Sequence, residues 1–222
     1  MNATRTSRAG QAGLFRGCCL GLLVLVLVAA FATVEGLRAL AAPDLGPPPG
    51  GTAHGSSMTV IAAALAGDAA SQLALADHAV VILSERDLTV IAVARNPSPS
   101  RFRNPQVRDR DGYVMVTADS SVGPFGVTAV ARFTLVFSNP TAAPTITVQA
   151  VDFGVGQLGL PGFIGDRLDP RGSATLNLAG LFAADPQLAA LAAAMECVSV
   201  KADGVHVGFR RPGAAADTSR CN

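Results

Sequence analysis

The chain has 222 residues, a net charge of +1 and half of its residues hydrophobic. That is enough for one domain with a sizeable core, and it provides no general basic field of the kind that attracts nucleic acid. With ten Phe, one Tyr and no Trp, a surface for stacking bases is poorly supplied.

Residues 1–13 are short, polar and Gly-containing, and read as a cytoplasmic tail. Residues 17–34, GCCLGLLVLVLVAAFATV, hold no charge. As a helix they cover about 27 Å, close to the apolar thickness of a bilayer. Arg5, Arg8 and Arg16 precede the run, and Glu35 and Arg38 follow it, a bias that keeps the N-terminus in the cytoplasm. Residues 14–35 are therefore expected to be a transmembrane signal anchor, with membrane contact through 17–34. The competing reading is a secretory signal cut near Ala41, because Ala39-Leu40-Ala41 is a small-x-small site just before Ala42. The run is longer than an ordinary signal core and the site lies beyond its end, which favours the anchor. Both readings export the rest of the chain. Cys18 and Cys19 open the apolar run, whereas a lipidated cysteine would follow it.

Residues 36–56 include Gly46-Pro47-Pro48-Pro49-Gly50-Gly51 and read as a linker that holds the domain off the membrane. Residues 57–212 read as an extracytoplasmic α+β domain, and 213–222 as a C-terminal tail. Met58, Ile61, Ala62, Leu65 and Ala69 follow helical spacing, which predicts a helix over 57–75. A short strand follows at 78–83. Ser84 and Asp87 make a capping-box pattern that opens a second helix, and Asn96-Pro97 ends it. Strands at 106–110 and 113–118 flank Asp111-Gly112, a tight-hairpin signal. The longest strand covers 125–137. Val127, Ala129, Ala131, Phe133, Leu135 and Phe137 share one apolar face, opposite a mixed face of Thr128, Val130, Arg132, Thr134 and Val136. A return strand at 145–153 completes an antiparallel pattern with one face packed and one largely wet. Asp185-Pro186 opens a last helix, to about residue 196, and Asp203-Gly204 marks a second tight hairpin.

Several motifs have the spacing of known chemical sites without their full residue sets. Gly154, Gly156 and Gly159 have dinucleotide-binding spacing, but Pro161 and Gly162 interrupt the helix that would carry the phosphate. Asp109-Arg110-Asp111-Gly112 resembles part of a calcium loop, yet Val107 and Ala118 fall where ligands would be needed. His54, His78 and His206 are dispersed, without ligand spacing. No nucleophile elbow or phosphate loop is present, so no enzyme activity, metal or cofactor is expected. Arg95, Arg101, Arg103, Arg108 and Arg110 gather around one loop and read as a solvated, charge-balanced surface, with a dock for anionic groups as the alternative. Cys197 and Cys221 are the two exported cysteines. An oxidised pair would pin the tail to the domain, and two free thiols are the alternative.

The run Ser84-Glu85-Arg86-Asp87-Leu88, the Asp111-Gly112 hairpin, the long strand to Phe137 and the closing Asp203-Gly204 hairpin resemble the YpmS-type bacterial envelope proteins. So does Val155-Gly156-Gln157-Leu158-Gly159-Leu160-Pro161 followed by Phe163 and Ile164. That family is itself similar to LmeA-type phospholipid-binding proteins and to tubular lipid-binding domains. The resemblance implies a long curved sheet wrapped around a helix, with an apolar groove. A lipid-like ligand is then the expected occupant, and Phe125, Val127, Phe133, Phe137, Leu158, Leu160 and Phe163 are the expected groove residues. The alternative is a structural module that binds another envelope protein, through a sheet edge.

Overall fold

The N-terminal apolar run lies in a single helix, α1 (Gln11–Leu40), which continues through the first residues expected of the linker. The computed structural model describes residues 11–45, 53–96, 101–122, 124–139, 144–159, 173–178 and 186–221. Within them the chain is α+β, with two antiparallel sheets and four α-helices.

Helix α2 (Met58–Leu75) starts where Ser57 accepts the Val60 N–H on its side chain. By length and composition alone it is apolar enough to cross a membrane. It belongs to the domain: Ile61 and Ala69 are buried, and the helix lies along the edge of strand β1 (His78–Leu83). Gln72 reaches that edge and pairs with both the N–H and the C=O of Val80 at 3.1 Å, so its amide satisfies backbone groups that an edge strand would leave open. Helix α3 (Glu85–Arg95) opens with the full capping box expected from Ser84 and Asp87.

The larger sheet contains β2 (Arg103–Arg110), β3 (Tyr113–Val122), β4 (Phe125–Ser138), β5 (Thr145–Val155) and β6 (Leu158–Gly159), in that order. Strand β7 (Ser173–Asn177) pairs with the other end of β5. The smaller sheet has the order β1-β9-β8, where β8 is Met195–Lys201 and β9 is Gly204–Arg210. Helix α4 (Pro186–Ala193) ends earlier than the sequence suggests, because Met195 and Glu196 already belong to β8. The core forms where the sheets meet. Val114, Leu135, Phe137 and Ile146 pack from one side and Val200, Val205, Val207 and Phe209 from the other, with Leu65, Leu73, Leu88 and Ala92 of the helices around them.

Both tight hairpins form, with Gly112 at φ +85° and Gly204 at φ +149°. Their tips meet: Gly112 N–H donates to the Val200 carbonyl at 3.0 Å, and Ala202 N–H to Asp111 Oδ1 at 3.0 Å. Cys197 and Cys221 form a disulfide with Cα atoms 6.0 Å apart.

Candidate functional site

The alternating pattern of β4 gives the long sheet two different faces, and the chain before the domain covers part of the mixed one. Past α1, residues 41–45 cross that face as a strap. At one end Gln157 N–H donates to the Arg38 carbonyl at 2.9 Å, and Gln157 Nε2 to the Ala42 carbonyl at 3.0 Å. At the other end the Arg110 guanidinium donates to the Leu45 carbonyl. Beneath the strap lies a cavity of about 310 Å³. Pro43 and Asp44 form its roof, and Met115, Val130 and Arg132 lie along its floor, with Asp152, Phe153 and Leu158 at the β5–β6 end.

A β-bulge sets the chemistry of that floor. Arg132 is opposite Asp152, but the next residue, Phe133, is opposite Ala150, so Val151 is the extra residue. Without the bulge Asp152 would follow Ile146, Val148 and Ala150 onto the apolar face. With it, Asp152 meets Arg132 as an ion pair on the mixed face. Phe153 turns the opposite way, and its ring meets Phe133 edge-on at 6.3 Å. Register then aligns Arg108, Met115, Arg132 and Asp152 in one row across four strands. Arg108 is 6% exposed. It donates to the Val107 carbonyl and to Gln106, and its Nε has no partner among the described residues.

The seven expected groove residues separate. Leu158 lines the cavity. Phe125, Val127, Phe133 and Phe137 lie on the opposite face, where Phe137 packs against the core and Phe125 is exposed. Leu160 and Phe163 lie outside the described residues. The glycine-rich motif forms the β5–β6 turn, with Gly156 at φ +59°. The arginine cluster also divides: Arg95, Arg101 and Arg103 are exposed, Arg108 is buried, and Arg110 pairs with Glu85 at 3.3 Å.

A second polar centre joins the start of the domain to α3. Asp87 is fully buried. It accepts the His54 backbone N–H at 2.7 Å, and its other oxygen faces His54 Nδ1 at 2.7 Å. Ser84 donates its hydroxyl to the same carboxylate at 2.8 Å and its N–H at 3.1 Å. Burial opposes ionisation of Asp87, but the hydrogen bonds from His54 and Ser84 outweigh it and hold the carboxyl below its ordinary range. His54 Nε2 lies 3.7 Å from Asp68, at an open groove of about 440 Å³ that Asp203 also lines. A serine, a histidine and an aspartate meet here, but not as a nucleophilic triad. The Ser84 hydroxyl is on the carboxylate, accepts the Asp87 N–H, and is buried. Sequence reading found the capping box and missed His54. Only the 33-residue separation between His54 and Asp87, closed by the fold, brings it in.

Asp109 is the third. It is fully buried beside Glu85, and both carboxylate oxygens lack a hydrogen-bond partner among the described residues. Burial and the neighbouring Glu85 push it up to about 7, against the pull of Arg110.

No protein-family model matches this chain, and no curated protein or solved structure does.

Proposed function

We propose that the chain is a single-pass envelope protein, anchored through α1, whose extracytoplasmic domain holds a lipid-like amphiphile in the cavity beneath the strap. The observation that carries this reading is the place and lining of the cavity. It opens where α1 ends, so it would lie close to the bilayer surface. Met115, Val130 and Leu158 give apolar contact, while Arg132 and Asp152 give a polar wall. Its size is at the low end of ligand sites, which suits one end of a lipid rather than a whole molecule. The Cys197–Cys221 disulfide fits an oxidising, exported setting. The resemblance to the YpmS-type proteins points the same way. The long apolar face bearing Phe133 and Phe137 contributes to the core in this reading.

The test is native mass spectrometry of the full chain released from detergent, with organic extraction of retained ligand. Wild type should carry an adduct that extracts as lipid, and Val130→Trp, which fills the floor of the cavity, should lose at least tenfold of it. A wild-type chain without adduct would move the reading to a protein-binding module. One observation favours that second reading: the residues of β7 are exposed along the strand, a surface that suits a protein partner.

A further inference from the structure

The end of a helix leaves carbonyl groups without partners inside the helix. At the end of α1 those groups are met by the domain. Gln157 supplies a backbone N–H to Arg38 and a side-chain amide to Ala42, each at about the ideal length. Between them Gly156 packs directly under the helix end. A Cβ on Gly156 would fall 2.3 Å from the Ala39 carbonyl oxygen and 2.5 Å from that of Ala41. Glycine is needed here twice, for the left-handed turn and for the close approach. The turn is itself fixed to the sheet, since Gly156 N–H donates to the Thr128 carbonyl at 2.7 Å.

We infer that the β5–β6 turn is a docking site for the C-terminal end of α1, and that the Ala41–Ala42 bond stays whole in the mature protein. Residues 38–45 are part of the domain fold. A cut after Ala41 would take away the Arg38 carbonyl that Gln157 binds and the Ala39 and Ala41 carbonyls that pack against Gly156. It would also put the Pro43–Asp44 roof of the cavity within two residues of a new chain end at Ala42, whose carbonyl Gln157 binds. The domain therefore stands on α1 in one attitude, not on a flexible stalk that begins at residue 36. This inference is independent of what the cavity binds.

The experiment uses the full chain, exported in a bacterial host and purified from membranes. Its intact mass should include the residues before Ala42. Limited digestion with elastase, which cuts beside small apolar residues, should leave 39–42 intact in wild type and cleave there at least tenfold faster in Gly156→Val. Gly112→Val is the control, because Gly112 also has a positive φ but a Cβ there meets nothing within 4 Å. It should leave the 39–42 rate unchanged. Should Gly156→Val misfold, Gln157→Ala removes the amide bond to Ala42 alone and should raise the same rate by a smaller factor. A mature chain that begins at Ala42, or equal cleavage rates in wild type and both turn variants, would overturn the inference.

Discussion

Asp109 sets a cost at the residue scale that neighbouring contacts do not offset. Its carboxyl is enclosed, faces Glu85, and has no hydrogen bond among the described residues. The folded state holds the proton, with the group pushed up to about 7, while an unfolded aspartate titrates near ~3.9. The sign follows from linkage. The stabilisation is fully present below the unfolded value and is lost as pH rises through about 7, by up to ~4 kcal/mol. Asp109→Asn keeps the shape and removes the charge. Its thermal midpoint should vary less than that of wild type between pH 5 and pH 8, and should exceed wild type at pH 8. Parallel curves for the two proteins would show that the charge is met by a group other than those named here.

At the scale of the element, α3 and the segment before α2 share one carboxylate. Asp87 takes four donors from Ser84 and His54, so the capping box and the start of the domain are tied by the same group. Asp87→Ala leaves those donors unpaired in a buried place and should cost about 2–4 kcal/mol, whereas Ser84→Ala should cost about 1. Asp87 is held below its ordinary range, so its contribution is present above the unfolded value and is lost as pH falls through the folded one. Denaturation midpoints of Asp87→Ala and wild type should therefore converge on acidification below pH 4. The helix itself was legible, because Ser84 and Asp87 are three residues apart and act locally. The two Asp-Gly hairpins were legible for the same reason. The bulge at Val151 was not: Thr145 to Phe153 alternates well enough to read as one regular strand, and only pairing with β4 shows where the register shifts. That shift decides which face Asp152 and Phe153 occupy.

At the scale of the whole molecule, the two faces of β4 could be read from alternation, but not which of them lines a cavity. Apolar residues on Phe133's side marked it as the binding face, yet that side packs core over much of its length, and the strap roofs the other. Nothing in residues 41–45 signals that they cross a sheet, since Ala42 and Leu45 are bound by Gln157 and Arg110, far away in the chain. The C-terminal tail is similar. From sequence it ends the domain near residue 212, free unless bridged. In the structure it returns along the smaller sheet. Arg211 pairs with Asp77 at 3.1 Å, Asp217 N–H donates to the buried Glu196 at 3.0 Å, and Ser199 donates to the Cys221 carbonyl. Glu196 also holds His78 at 2.9 Å, so one side chain joins the tail to β1 and β8. The disulfide lies over Gly208, where a Cβ would come within 2.3 Å of Cys197 Sγ, and β9 makes room for it by having no side chain there. With a sequence separation of 24, the bridge should stabilise by about 3 kcal/mol through the unfolded chain. Cys221→Ser should lower the midpoint accordingly and speed tryptic cleavage after Arg220, while cleavage elsewhere in the domain changes less. A midpoint equal to wild type would mean that Glu196, Ser199 and Asp77 hold the tail without the bond.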